Sequence, residues 1–227
     1  MTMIKIYIYI SSTIFFFLNI YTQSFADKVI NKLDEYIIVN MRSVNLTIMR
    51  GYLPHIYRKE SEFYFSDIKS IAFDFWMPSR NYVNSDEAIR GFTIDNNNEP
   101  DNIYIVKVMQ FTPTEYDDIM YYDAARRLNN LLTNLHSKFN DYGFGLLQIQ
   151  NGLGIKVNDL NFTFKNSKKY EVLITCTPDS IKVPSPACQM MGQSREHDIS
   201  FMILFPKDRL IESEEIVESI FNIVTIN

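Results

Sequence analysis

The stretch LNFTFKNSKKYEVLITCT, residues Leu160–Thr177, predicts an antiparallel hairpin. Apolar and polar residues alternate along Leu160–Phe164 and again along Tyr170–Cys176, the period of two that places successive side chains on opposite faces of a strand. The polar residues Asn166–Lys169 lie between the two runs and predict the turn that joins them. We therefore expect the sheet around this hairpin to be antiparallel.

Other segments of the chain have strand patterns. Ile71–Met77 alternates and ends at Pro78, Ile103–Phe111 is apolar on both faces, and Ile199–Phe205 is an apolar run closed by Pro206. Further predicted strands are Phe63–Phe65, Phe92–Ile94, Leu146–Gln150 and Gly154–Val157. Most of these strands follow one another closely along the chain, which favours hairpins over parallel crossovers.

Three segments have the apolar spacing of helices. Asp27–Asn40 is the first, and the third is a short helix that Ser213 caps. The second begins at the N-cap Thr114, keeps an apolar stripe as far as Phe139 and ends at Gly143. The resulting fold prediction is an α+β domain, in which helices pack on the faces of an antiparallel sheet.

This order of elements resembles the PsbP-like α/β/α sandwich over most of the chain after residue 26. The shared features are a strand that ends in Trp76-Met77-Pro78, a capped mid-chain helix, a meander that finishes at Ile199–Pro206 and a closing helix that contains Ile216–Ile220. Small exported bacterial proteins are similar to that family. The resemblance implies a non-enzymatic binding or assembly role, and it assigns no site at the level of residues.

Residues 1–26 contain the three parts of a cleavable secretory signal. Lys5 supplies the positive start, Ile6–Ile20 is apolar, and small residues at Ser24 and Ala26 favour cleavage between Ala26 and Asp27. A retained anchor is the alternative, but the apolar stretch is shorter than the ~20 residues of a membrane span. We expect residues 27–227 to form a single domain without a stable membrane span, in the bacterial periplasm or outside the cell.

The chain has two cysteines, Cys176 and Cys188. Thiols of exported proteins meet an oxidising compartment, so this pair predicts a disulfide that closes a segment with three prolines. A reactive thiol partnered by His197 and a metal site are the alternatives. A second cysteine twelve positions away argues against a lone nucleophile, and too few histidines are clustered to complete four ligands.

Charge and motifs argue against nucleic-acid binding and against catalysis. Without Lys5, 21 basic and 27 acidic residues give a net charge of −6, which repels phosphate backbones. The segment Gly192–Glu196 places Glu196 where a nucleophile elbow needs a small residue. The segment Asp95–Asp101 lacks the glycine and the glutamate of an EF-hand. We therefore predict no catalytic residue, no metal ligand and no cofactor.

The aromatic content indicates a possible recognition surface. The chain has 14 Tyr and 17 Phe, although a biased codon usage explains this content equally well. Eight tyrosines are surface candidates because they cannot all lie in the core: Tyr52, Tyr57, Tyr64, Tyr82, Tyr104, Tyr116, Tyr121 and Tyr122. The preferred hypothesis is an exported, non-enzymatic protein that binds another protein, specifically an immunity protein against a periplasm-targeted toxin. The alternatives are an accessory factor of envelope assembly or secretion machinery, and a secreted hydrolase that uses His197 with Ser194 or with a carboxylate. The sequence does not assign an oligomeric state.

Overall fold

A computed structural model gives the fold of residues 32–41, 43–54, 64–83, 89–90, 93–94, 102–114, 130, 133, 138–150, 160–178 and 186–227. The strands are β1 (Tyr36–Met41), β2 (Val44–Met49), β3 (Tyr64–Phe65), β4 (Ile71–Met77), β5 (Ile89–Arg90), β6 (Thr93–Ile94), β7 (Tyr104–Pro113), β8 (Lys138–Gly143), β9 (Leu146–Gln150), β10 (Leu160–Phe164), β11 (Tyr170–Cys176), β12 (Ala187–Ser194), β13 (Ile199–Pro206) and β14 (Thr225–Ile226). Short 3-10 segments occupy Arg50–Tyr52 and Lys207–Glu212, and the helix α1 spans Ser213–Ile223.

The larger sheet has eight strands in the order β4-β7-β13-β12-β11-β10-β9-β8, and every pair of neighbours is antiparallel. Its last six strands follow one another along the chain as a meander. The predicted hairpin is confirmed, because Leu160 lies opposite Cys176 and Phe162 lies opposite Ile174. A second sheet, in the order β14-β2-β1-β3, joins the two ends of the described chain.

The two sheets share one hydrophobic core. A cross-strand row on the inner face of the larger sheet joins Ile174, Met190, Ile203, Val108 and Phe73, all of which are buried. The same cluster contains the buried apolar side chains of α1 and the inward residues of β1 and β2. Register is strongly specified here, because a slip of one residue would turn each of these side chains to the opposite face.

The fold-class prediction, an antiparallel sheet flanked by helices as in the PsbP-like α/β/α sandwich, is wrong. Strands dominate the described residues, and α1 is the only α-helix that they contain as a complete element. Most of the helix predicted from Thr114 to Gly143 lies outside the described residues. Its predicted end, Lys138–Gly143, is instead the strand β8.

The first predicted helix is also wrong over its second half. Lys32 and Leu33 are helical, but Tyr36–Met41 is a strand whose alternate residues Ile37 and Val39 are buried. The apolar residues at Leu33, Ile37 and Ile38 fit a helical stripe, so local spacing favoured a helix. Pairing with β2 along the whole strand decides the structure instead.

Four further strands, β2, β5, β12 and β14, were not predicted. The strand β12 (Ala187–Ser194) buries Cys188, Met190, Gly192 and Ser194 in alternation. Glycine and serine weaken the apolar signal of these inward positions. Gly192 is required by packing, because a Cβ atom there would lie 2.7 Å from Val172 Cγ1 and 2.8 Å from the ring of Phe201.

Candidate protein-interaction surfaces

The structure joins Cys176 and Cys188 in a disulfide, as the sequence predicts. The two residues lie directly opposite each other on β11 and β12, with Cα atoms 4.0 Å apart. Both side chains are fully buried within the main core, and Thr177 N–H donates to the Ala187 carbonyl at 2.9 Å beside them. The bond therefore joins two central strands of the sheet at the position where β11 ends. The predicted cleavage site at Ala26–Asp27 lies outside the described residues and stays a prediction.

The residues of the hydrolase alternative do not form a catalytic arrangement among the described residues. Ser194 ends β12, and its hydroxyl is buried without a hydrogen-bond partner in the described part of the chain. His197 stacks on Phe221, with ring centroids 5.3 Å apart. The segment Gly192–Glu196 therefore belongs to a strand–turn–strand hairpin, whereas a nucleophile elbow joins a strand to a helix.

The described part of the chain contains neither a metal-binding cluster nor a membrane-spanning helix. There, no group of three or more His, Cys, Asp or Glu side chains is placed to hold a metal ion. No helix of the same residues combines the length and the apolar character that a membrane crossing requires.

A partly buried polar cluster links β7 to the segment before α1. The Tyr104 hydroxyl donates to Glu212 Oε2 at 2.6 Å, and Arg209 lies over the Tyr104 ring, 5.2 Å from its centroid. Arg209 also donates to Glu212 Oε1 at 3.2 Å. Burial, followed by the hydrogen bond to Glu212, raises the pKa of Tyr104 far above its ordinary value. The phenol therefore stays protonated at neutral pH, and its hydrogen bond to Glu212 connects β7 to the segment before α1.

One end of the eight-stranded sheet, which we call the turn end, collects three turns and the start of α1. The turns are Phe144-Gly145 between β8 and β9, Lys165–Lys169 between β10 and β11, and Arg195–Asp198 between β12 and β13. Backbone hydrogen bonds join these turns, from Lys165 N–H to the Gly145 carbonyl at 2.7 Å and from Arg195 N–H to the Lys169 carbonyl at 3.0 Å. The three turns thus form one continuous surface.

The turn end is acidic. Three bases are paired with acids, in the ion pairs Lys165–Asp141, Arg195–Glu171 and Lys169–Glu218. The exposed acids Glu196, Asp198 and Glu214 have no ion-pair partner in the described part of the chain. Among the bases of the turn end, only Lys168 is likewise without an ion pair to a described residue. Burial raises the pKa of Tyr170, and the negative charges of Glu218, Glu196 and Glu214 raise this pKa further.

Phe144 protrudes from the turn end and is 72% exposed. It occupies the first position of a two-residue turn, with φ of 52° at Phe144 and 77° at Gly145. The neighbouring Tyr142 is also exposed, and its ring meets that of Phe162 edge-to-face at 5.0 Å between centroids. Sequence reasoning missed Phe144. Its signal was a bulky residue between Gly143 and Gly145, since two glycines around one residue indicate a tight turn.

A second exposed apolar patch, the small-sheet patch, lies on the outer face of the four-stranded sheet. It consists of Tyr36, which is 61% exposed, Tyr64, which is 53% exposed, and Ile38. Ile38 lies directly opposite Tyr64, and Thr47 and Thr225 continue the same row across the sheet. Of the tyrosines that the sequence offered as surface candidates, Tyr64 is exposed and Tyr104 is buried. Two apolar patches thus lie on separate sheets.

Comparisons with known proteins identify the fold. No family model matches the chain, and no curated protein matches it. Among solved structures, the chain is similar to an immunity protein of the Stenotrophomonas maltophilia type IV secretion system, with a TM-score of 0.53 and 9% sequence identity. The alignment covers 84% of this chain and 92% of that protein. At this identity the similarity shows a shared fold.

Proposed function

We propose that this chain is an exported immunity protein, which binds a protein toxin in the bacterial periplasm and blocks its action. The observation that carries the proposal is the shared fold, which covers 92% of an immunity protein of a bacterial secretion system. An inhibitor of this kind needs a stable scaffold and an exposed recognition surface. The eight-stranded sheet and the acidic turn end have these properties.

The disulfide supports export. Disulfides persist in the periplasm and outside the cell, whereas the cytosol keeps thiols reduced. The Cys176–Cys188 bond lies inside the core, so the fold is completed by a bond that an oxidising compartment supplies. The predicted signal at residues 1–26 would direct the chain to such a compartment.

Growth protection tests the proposal directly. The product of each gene flanking this one is sent to the periplasm of a bacterial host, alone and together with the full chain. We expect one flanking product to stop growth and the full chain to restore it. The proposal is contradicted if no flanking product is toxic, or if the chain leaves the toxicity unchanged.

Two matched variants separate this role from the alternatives. A chain that lacks residues 1–26 remains in the cytosol and is expected to lose protection, which tests the compartment. The His197→Ala variant removes the base of the hydrolase hypothesis and is expected to protect as the wild type does. Loss of protection by His197→Ala, in a protein with unchanged thermal stability, would favour the hydrolase. Altered surface structures without any change in protection would instead favour an accessory factor.

A further inference from the structure

We propose that Phe144 is the anchor of the toxin interface, and that it inserts into an apolar pocket bordered by basic side chains on the toxin. This inference rests on the proposed function and names the surface that performs it. It commits to the turn end rather than to the small-sheet patch. Three independent features of the turn end support it.

The first feature is the backbone conformation of Phe144. Both residues of its turn have positive φ, as in a type I′ turn, and such positions favour Gly, Asn and Asp. Two other non-glycine residues at the turn end with positive φ are Asn166 and Asp198, which tolerate this conformation. A large apolar residue gains nothing there from the fold, because its side chain is 72% exposed. Phe144 therefore has an unfavourable backbone conformation and an apolar side chain exposed to water. A residue with both properties does not stabilise the folded monomer, which indicates a role in binding a partner.

The second feature is that the turn is held in place before any partner binds. Gly143 N–H donates to Asp141 Oδ1 at 3.0 Å, and Lys165 forms an ion pair with the same carboxylate. The backbone of Lys165 also donates to the Gly145 carbonyl at 2.7 Å. An aromatic ring on a fixed turn loses little conformational freedom on binding, which is the property of an interface anchor.

The third feature is charge. A Cβ atom built on Gly145 would lie 3.6 Å from Glu214 Oε2, so this carboxylate stands beside the turn that presents Phe144. Glu196 and Asp198 extend the acidic surface. Within the described residues, Lys168 is the one base of the turn end that forms no ion pair, so negative charge exceeds positive charge there. An apolar ring within a negative surface complements a pocket with a positive border. The small-sheet patch consists of uncharged residues and lacks this complementarity.

The test compares Phe144→Asn with the control variant Tyr64→Ala, which removes an exposed aromatic side chain from the small-sheet patch. The probe is the flanking-gene product that the wild-type chain neutralises, and its affinity for each purified variant is measured by calorimetry. We expect Phe144→Asn to weaken binding roughly 30-fold or more, as for an interface hot spot. We expect its urea midpoint to be equal to or higher than that of the wild type, because asparagine suits the turn. Tyr64→Ala is expected to bind within roughly threefold of the wild type.

The outcomes distinguish this inference from the proposed function. Wild-type affinity in Phe144→Asn, or a larger loss in Tyr64→Ala, overturns the inference and leaves the immunity function standing. Failure of the wild-type chain to bind any flanking product overturns both. Glu214→Gln provides a second measurement, since its binding should weaken most at low salt if the pocket border is basic. A salt-independent affinity would overturn the charged part of the inference.

Discussion

Two hairpins of the same sheet use their side chains in opposite ways. In β11–β12 the paired residues Cys176 and Cys188 are fully buried, and a covalent bond joins them. In β8–β9 the strand Lys138–Gly143 exposes five of its six residues and lies at the edge of the sheet. The central hairpin therefore contributes stability, while the edge strand β8 contributes little burial and has side chains available for recognition. Changes at the first should alter unfolding, and changes at the second should alter binding.

The largest contrast is expected between two phenylalanines. Phe111 is fully buried and packs against Phe221, with centroids 5.5 Å apart, so Phe111→Ala should reduce the free energy of unfolding by about 3–5 kcal/mol. Phe144→Ala at the exposed turn should change it by no more than about 0.5 kcal/mol. Urea unfolding of both variants measures the difference. Similar effects at the two positions would show that the edge hairpin is part of the stabilising core.

Removal of the disulfide is expected to have the next largest effect. The double variant Cys176→Ala/Cys188→Ala should lose about 2–3 kcal/mol of unfolding free energy, because the unfolded chain regains the freedom of the closed loop. Since the sulfur atoms are buried in the wild type, a mild reductant should leave the bond intact under native conditions. Thiol labelling before and after addition of urea checks this. Labelling without urea would contradict the buried position.

The Tyr104→Phe variant, which also changes a buried residue, should reduce the free energy of unfolding by a smaller amount. It removes the hydroxyl that donates to Glu212 at 2.6 Å, and loss of a hydrogen bond to a charged group is expected to reduce stability by about 1–2 kcal/mol. The folded-state pKa of Tyr104 is raised, so the stabilisation is complete below pH ~10 and decreases as the pH rises above it. The wild type should therefore lose stability more steeply above that pH than Tyr104→Phe. Parallel slopes would contradict this assignment.

The sequence predicted four of the six meander strands, β9, β10, β11 and β13, because each of them has a clear local pattern, whereas β8 and β12 were missed. Alternation in Leu160–Phe164 and Tyr170–Cys176 corresponds to strands β10 and β11, and the apolar run Ile199–Phe205 corresponds to β13. Prediction from the sequence failed where pairing between strands that are distant in sequence overrides the local spacing of apolar residues. Tyr36–Met41 has residues that suit a helix, but it is fixed by pairing with β2 and with β3, which follows more than twenty residues later.

The candidate surface was less predictable than the fold. The sequence offered tyrosines as a class, since composition alone cannot separate a buried ring such as Tyr104 from an exposed one such as Tyr64. Phe144 was missed because it lies between the predicted helix end at Gly143 and the predicted strand that starts at Leu146, and the glycines on both sides indicate a turn but not an exposed recognition residue. Its importance depends on a positive φ and on neighbours from three turns, and neither is a property of local sequence.

The smallest effect is expected at the ion pair that holds the edge hairpin. The hydrogen bond from Lys165 keeps the pKa of Asp141 below its ordinary value, so the stabilisation is present above pH ~4 and is lost as the pH falls through the folded-state pKa. Lys165→Met should return this pKa towards ~3.9, whereas Lys168→Met, in the same turn, should leave it unchanged. Carboxylate titration by NMR measures both.

Because the Lys165–Asp141 pair is exposed, the free energy of unfolding of Lys165→Met should hardly change, but its toxin affinity should fall if a fixed turn presents Phe144. Unchanged affinity in Lys165→Met would show that the turn is rigid without this pair.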